Sequence, residues 1–377
     1  MLDYVEIRSG ETREMIGIID GAKSILWSPS YYGAGYVEIY APASAGAVEL
    51  LKDGNYITRP DDPNVGIIER VQIIYNAQDG RMVVAVGRFA KSILDRRLIY
   101  SMSGTSVSPT VLRGRVENAA RSLVNRNAIA CTFDASRNMA ELELGTDTGT
   151  TEVIVDDSGN NADKQATYKN LLEYTDGLLE EYGLGSFVTL SAERKLQYRV
   201  FKGVDRSVDN VDGNEPVIFS QNFDNMISSD YTASTETLKN TALIGGEGEG
   251  LARYCVLLNS SAKGINRREV FVDASSSTRT YRDDNGAEQT LTDSQYSAQL
   301  KTLGKQTLAG LSTVVTFSGG VDISQSMVQY GYGKSFYLGD IATIQDVEIG
   351  LYINARILSV VERMDDEGYN VQVEFGL

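Results

Sequence analysis

A chain of 377 residues is long enough for two or three domains and a large core, and its 42% apolar and 23% charged residues are ordinary for a globular protein. It contains no histidine, which excludes Ser-His-Asp and Cys-His nucleophile activation, His-ligated zinc and a histidine base, and leaves carboxylates, lysine or tyrosine for any catalysis. Its 51 acidic against 35 basic residues give a formal net charge of −16, which argues against a grip on nucleic-acid phosphates.

The first hundred residues read as β structure. Gly17 to Asp20 look like a strand and turn, and Gly35 to Ala41 place Val37 and Ile39 on one face. Ser44 is a candidate N-cap for a short helix with Val48 and Leu51 on its apolar side and Gly54 at its end. Val71, Ile73 and Tyr75 alternate with Gln72, Ile74 and Asn76 before an Asp79-Gly80 turn, and Arg81 to Gly87 return. Ser101 to Pro109 are small and polar, the composition of a linker.

Helical spacing of Leu112, Val116, Ala119 and Leu123 predicts a helix over Val111 to Asn125, followed by a strand near Ile129 to Phe133 and a Thr/Gly-rich stretch, Gly145 to Thr151. A longer helix is predicted over Asp163 to Tyr182, with Gly183 as its C-cap. Strands return at Phe187 to Leu190, Leu196 to Phe201, Val217 to Ser220, Leu238 to Ile244 and Arg253 to Leu258. A last helix is expected over Ser294 to Leu308 with Asp293 as N-cap, and β structure resumes at Thr313 to Phe317. Near the end, Ile341 to Ile344 read as a strand. Leu351, Ile353, Ala355 and Ile357 alternate ahead of an acidic turn, Asp365 to Gly368, and Val371, Val373 and Phe375 alternate after it, a β-hairpin. The two β-rich ends look alike in style, and the pattern leaves open whether they form one barrel, two barrels or two sheets.

No motif meets the rule for a ligand site. Gly331 to Ser335 suggest a phosphate loop, but the position that needs the first glycine is Val328 and a strand follows. The run Gly245 to Gly250 carries Glu247 and Glu249, which repel phosphate, and reads as a tight turn. Asp156 to Asn161 and Asp209 to Glu215 are oxygen-rich loops without the spacing of a calcium-binding hand, and Asp/Asn/Gly clusters are the ordinary stuff of turns. A close carboxylate pair for glycoside hydrolysis is invisible to sequence, and Trp27 is the single tryptophan. No catalytic, cofactor-binding or metal-binding residues are therefore assigned. Cys131 and Cys255 are expected as buried free thiols, with pairing the alternative. The acidic balance reads first as solubility. It also suits a surface past which nucleic acid slides without adhering. No apolar run nears the roughly 18 residues that span a bilayer. Met1 to Glu6 lack a signal-peptide pattern, so synthesis in a cytoplasm is expected.

Taken in order, several stretches resemble the tail-hub (tail-tip) proteins of siphoviruses. They begin with Ile16 to Asp20, Ser24 to Trp27, Tyr31, Gly35, Asn55 to Arg59, Ile67 to Glu69, Val86 to Arg88 and Ile93 to Arg97. They continue with Phe201 to Arg206, Val217 to Ser220, Lys239 to Leu243, Gly245 to Gly250, Arg267 to Glu269 and Val272 to Ala274. Leu338-Gly339-Asp340, Ala355-Arg356-Ile357 and Phe375-Gly376 close the set. No single piece is specific; the ordered set is, and it covers nearly the whole chain.

The resemblance implies a mainly β fold with an α+β middle part: two barrel-like β domains of phage tail-hub type plus inserted α/β segments. The expected division is a barrel-like domain over 1–105, an α+β domain over 106–185, a β-rich domain closed by a helix over 186–310 and a barrel-like segment over 311–377. It implies a structural virion protein and no enzyme, similar to the baseplate hub of contractile tails and to the N-terminal part of tail-associated lysins. Such a hub is a homotrimer that closes the distal end of the tail tube and meets the distal tail protein, the tape-measure protein and tip or receptor-binding proteins. DNA is passing cargo only, no membrane is involved and no cofactor is expected. Some relatives carry a peptidoglycan-cleaving module after the hub; here the chain ends with the hub pattern, so that role is not expected. The competing readings are a carboxylate-dependent hydrolase of cell-wall or capsule polysaccharide carried by the virion, and a plain binding module, which would normally carry an export signal.

Overall fold

Alternation of apolar and polar residues dominates both ends of the chain, and both ends fold into one large sheet. The computed structural model describes residues 4–156, 159–226, 228–282, 287–312, 314–321 and 330–376. Readings that touch residues 1–3, Asp157, Ser158, Thr313, Val328 and Leu377 lie outside these residues. Two compact units form: one from Met1–Met102, Thr110–Asp230 and Phe317–Leu377, the other from Ser103–Pro109 and Tyr231–Thr316.

The first unit opens with β1 (Val5–Arg8), β2 (Met15–Ile19), β3 (Ser24–Ser28), β4 (Tyr36–Pro42), α1 (Ala45–Leu50), β5 (Tyr56–Arg59), β6 (Asp62–Asn76) and β7 (Gly80–Phe89). Ser44 caps α1 by accepting from the Ala47 amide at 3.1 Å. Ile25, Trp27, Val37 and Ile39 face one core with Val83 and Ala85. The β6 register shifts between Ile68 and Arg70. That bulge changes which residues face inward: Val65, Ile67 and Ile68 are buried, whereas Ile73 and Tyr75 stand exposed on the outer arm of the hairpin. Ser101 to Pro109, expected as a linker, contain two short strands, β8 (Ser101–Ser103) and β9 (Ser106–Ser108).

Three expectations fail in the middle of the chain. Val111–Leu112 is a strand, β10, and helix α2 (Val116–Val124) starts only after Gly114, whose φ of +76° interrupts any earlier helix. The strand expected at Ile129 to Phe133 is absent: Asn125–Ile129 extends α2 as a wider helical turn, with the buried Asn127 side-chain Nδ2 donating to the Leu123 carbonyl at 2.9 Å. The helix expected from Asp163 is shorter. Lys164–Gln165 is strand β12, following β11 (Leu142–Leu144), and Tyr168 has a left-handed φ of +64°. Helix α3 (Leu171–Glu181) begins where Asn170 accepts from the amides of Leu172 and Glu173 at 2.9 and 3.2 Å. Strands β13 (Gly185–Leu190), β14 (Leu196–Phe201) and β15 (Ile218–Ser220) follow. Leu123, Leu171, Leu178, Leu179, Val188 and Tyr198 share one core.

β16 (Ser228–Ser234) leads into the second unit, which holds β17 (Thr241–Gly245), β18 (Cys255–Leu258), β19 (Glu269–Asp273), β20 (Thr280–Arg282), β21 (Glu288–Thr290) and α4 (Asp293–Ala309); β22 (Val314–Val321) leads out. The central three run β18-β17-β19, antiparallel then parallel. Tyr296, Leu300 and Leu308 of α4 pack with Ala242, Ile244, Val256 and Leu258 of this sheet. The helix cap is Thr292 in place of the expected Asp293. Thr292 accepts from the Gln295 amide and Gln295 accepts from the Thr292 amide, a capping box.

The chain ends in β23 (Ile341–Asp346), β24 (Leu351–Asp365) and β25 (Gly368–Gly376). β24 pairs with β25, with β23 and, through Glu362, Arg363 and Met364, with β3. The two ends are therefore one sheet. Its order in the first unit is β25-β24-β3-β4-β7-β6-β5-β1-β2, with β23 beside β24 and β15 parallel to β23. The fold is mainly β with an α+β middle. Both cysteines are free; Cys131 is buried as expected, whereas Cys255 is exposed on β18, where alternation turns it away from α4.

Candidate functional site

No group of three or more Cys, Asp or Glu side chains converges on one point among the described residues. In the loop Asp209 to Glu215 the polar groups serve the turn. Asn210 donates to the carbonyls of Ser207 and Asn214, and Asp209 accepts from Asn354 at 2.7 Å. Gly331 to Ser335 form a tight turn in which the Gly331 carbonyl accepts from Lys334 and Ser335 at 3.1 and 2.9 Å, and buried Phe336 anchors it. In the Gly245 to Gly250 run, the Gly246 amide donates to the Tyr254 carbonyl at 2.8 Å and a Cβ on Gly246 would lie 2.5 Å from the Tyr296 hydroxyl. Buried Glu117 organises the Thr/Gly-rich stretch by accepting from the amides of Thr148 and Thr150 at 2.8 and 3.1 Å.

A groove of the first unit, about 470 Å³, is lined by Glu6, Arg8, Thr58, Asp62, Asn64 and Arg194 among others. Its charges are already engaged. Arg8 pairs with Glu6 at 2.8 Å, Arg194 with Glu14 at 2.5 Å, and Asp62 accepts from Trp27 Nε1 and from Asn64. Burial raises the Asp62 pKa, opposed by those hydrogen bonds. No second carboxylate of the groove is left to act with it as an acid–base pair.

What the structure does bring together are the residues of the ordered pattern, at two buried junctions. At the first, the Tyr31 hydroxyl donates to the Gly183 carbonyl at 2.9 Å and accepts from the Gly203 amide at 3.1 Å, while its ring packs edge-on to Phe201. Gly185 and Gly339 lie against the same ring; a Cβ on Gly339 would sit 2.2 Å from it, and Gly339 has a φ of +88°. Arg356 stacks over the ring and donates to the Gly339 carbonyl at 2.6 Å. Buried Asp340 accepts from the amides of Val204 and Tyr337 and from Arg206 Nε at 2.8, 3.0 and 2.9 Å. Three distant stretches, around Tyr31, Gly203 and Asp340, are thereby tied at one point. Burial raises the Tyr31 pKa and keeps the hydroxyl protonated as a donor.

At the second junction, Arg59 forks onto Glu362 (2.7 and 3.2 Å) and onto Asp61 (3.0 and 2.9 Å). Its guanidinium lies 5.3 Å from the Trp27 ring centre, and the Tyr369 hydroxyl donates to Glu362 at 2.5 Å. Burial opposes the charge on Arg59, but the two carboxylates outweigh it and raise its pKa. Sequence reasoning missed Glu362 and Tyr369; the only signal was a lone carboxylate in the apolar stretch Val360-Val361-Glu362. It also missed a third cluster. Lys91 Nζ lies 3.1 Å from Asp176 Oδ1, both buried, and Asp176 accepts from Ser186 at 3.2 Å.

These junctions are structural: they lock one sheet and offer no reacting centre. The fold is shared with solved tail proteins. It matches a 43 kDa tail protein of prophage MuSo2 from Shewanella oneidensis with a TM-score of 0.54 at 11% identity, over 99% of this chain and 98% of that one. A tail protein from Neisseria meningitidis MC58 gives 0.50 at 12% identity, over 99% and 96%. The chain belongs to the siphovirus ReqiPepy6 Gp37-like protein family, whose model matches residues 4–377, and is thus a phage tail protein. No curated protein matches the sequence.

Proposed function

We propose that this tail protein is the hub of the tail tip. In this reading it is a structural virion component that assembles as a homotrimer and closes the distal end of the tail tube. It links the distal tail protein and the tape-measure protein to tip or receptor-binding proteins. The observation that carries the reading is the single sheet joining the two β-rich ends through β3 and β24, locked by the Tyr31 and Arg59 junctions. A subunit built this way presents both ends as one rigid wall, which a ring of few copies needs. The four-part division at 1–105, 106–185, 186–310 and 311–377 belongs to the same proposal. The protein is made in the host cytoplasm, works without cofactor or metal, and has no turnover. The mass of the purified protein in solution with negative-stain images of the tail tests this: a ring of three is expected, and a strictly monomeric protein with no trimer in any tail particle overturns it. Release of sugar or peptide fragments from cell wall, abolished by one carboxylate substitution, would replace it with the hydrolase reading.

The charge follows from the same proposal. Three copies bring three times the −16 of one chain around the axis, and DNA carries about one charge per 1.7 Å of helix axis. An acidic channel wall keeps DNA from adhering as it passes. A charge map of the assembled ring is expected to show acidic side chains outnumbering basic ones along the lumen; a neutral or basic lumen overturns this point even if the trimer stands.

A further inference from the structure

The first unit holds one exposed ring under backbone strain. Tyr168 has a left-handed φ of +64°, an unfavourable backbone for a bulky residue, and is 60% exposed. Backbone bonds from Tyr168 to the Ile99 carbonyl, from Ile99 to Lys169 and from Leu171 to Arg97, of 2.8, 2.8 and 2.9 Å, fix it there. Nothing inside the chain offsets the strain through the side chain: among the described residues the Tyr168 hydroxyl has no hydrogen bond and its ring no aromatic or cationic neighbour. Leu98, bridged to Asn170, stands half exposed in the same pairing. The surroundings are basic. Arg96 and Lys169 form no ion pair among the described residues, and Arg97 donates only to the carbonyls of Arg96 and Arg137. Asp95 is taken by Arg88 and Asn170, so positive charge outweighs the remaining Glu173.

The same unit carries a surface of the opposite kind. In the loop Asp209 to Glu215, Val211 is 95% exposed, and Asp209, Asp212 and Glu215 stand exposed around it. None of the three carboxylates forms an ion pair among the described residues. The loop is set before any partner arrives: Asn210 accepts from the Asn214 amide at 2.9 Å, and Asn214 Nδ2 donates to the Asp205 carbonyl at 2.9 Å. An apolar tip among carboxylates complements an apolar ring among cations, and no hydrogen bond or ion pair joins the two surfaces within the described residues of one chain. Two copies meeting patch to patch would set arginine against arginine. Patch to loop is instead a head-to-tail contact, the kind that closes rings. We infer that the Val211 loop of one copy docks on the Tyr168 patch of the next, with Tyr168 as the anchor. This rests on the hub reading and names its subunit contact.

Val211→benzoylphenylalanine places a photocrosslinker at the exposed loop tip of the full chain, and purified tail particles carrying it are irradiated. Mass spectrometry is expected to find it joined to the Tyr168-bearing peptide of another copy. Tyr168→Gly is expected to raise the unfolding midpoint, because glycine relaxes the left-handed backbone, and to weaken self-association at least tenfold. Arg96→Glu/Lys169→Glu is expected to weaken it likewise, and Asp212→Lys/Glu215→Lys added to the same chain to restore it. A cross-link to another tail protein or to DNA, or none at all, overturns the inference, as does a Tyr168→Gly protein that associates like wild type. Any of these leaves the hub reading standing where negative stain still shows a ring of three; tails without any trimer sink the hub reading and this contact together.

Discussion

Arg59–Glu362 and Lys91–Asp176 are both buried ion pairs of the first unit, with contacts of 2.7 and 3.1 Å, yet their remaining hydrogen-bonding positions are treated differently. The arginine fills its fork with two carboxylates, and Glu362 gains the Tyr369 hydroxyl. Lys91 has one partner, off the hydrogen-bonding direction, and the Ser92 Oγ and Thr175 Oγ1 atoms next to the pair in sequence find no protein partner. The pKa directions follow the geometry. Arg59 is raised, whereas burial lowers Lys91 and raises Asp176, each pushed towards its neutral form. Taking two charges out of water is offset only when every donor and acceptor is met. The first pair stitches the two chain ends and meets that condition; the second does not.

The largest effect is expected for Glu362→Ala. Arginine cannot shed its proton, so removing Glu362 leaves the buried guanidinium with only the half-exposed Asp61 and costs about 3–5 kcal/mol. Denaturant unfolding reads this as a large drop in midpoint. Asp176→Ala is expected to cost less, about 1–3 kcal/mol, because lysine neutralises where arginine does not; equal losses for the two variants would erase the distinction. Apolar replacement of both partners sharpens it. Lys91→Met/Asp176→Leu is expected to be neutral or stabilising by about 1–4 kcal/mol. Arg59→Met/Glu362→Leu strands Asp61 and Tyr369 and is expected to destabilise.

The smallest effect is in pH dependence. The folded-state pKa of Asp176 is raised above its ordinary 3.8, mainly by burial, so its contribution is present below that value and lost as pH rises through the folded pKa. Wild type should therefore gain stability relative to Asp176→Asn as pH falls from 7 towards 4. Burial also opposes the charge on Asp61, but the Arg59 hydrogen bonds outweigh it and lower the pKa below 3.8, so its contribution is present above that value and lost on further acidification. Wild type should lose stability relative to Asp61→Asn only below about pH 4. Slopes of the same sign in the two comparisons would refute the assignment.

The sequence by itself determined what is set by neighbours along the chain. The hairpins around Gly80 and Gly368, the Ser44 cap and the α1 turn need only local alternation and turn residues, and all are where the pattern puts them. The ordered pattern from Ile16 to Phe375 likewise carried the family. Element starts in the middle failed because apolar spacing continues past real breaks. Leu112 keeps helical register with Val116 although Gly114 turns the chain, and Tyr168 keeps it with Leu171 and Leu172 although its φ is left-handed. Only the tertiary structure decided that the ends are one sheet. The Trp27–Glu362 register joins positions 335 residues apart, and nothing in either strand's alternation names the other. The same holds for the junctions, since a lone Tyr31, Gly339 or Glu362 carries no signal of its partner until folding buries them together. The bare face of the β18-β17-β19 sheet belongs to the same class: alternation marks Leu243, Leu257 and Phe271 as one side of a sheet, but which side α4 covers is set by packing.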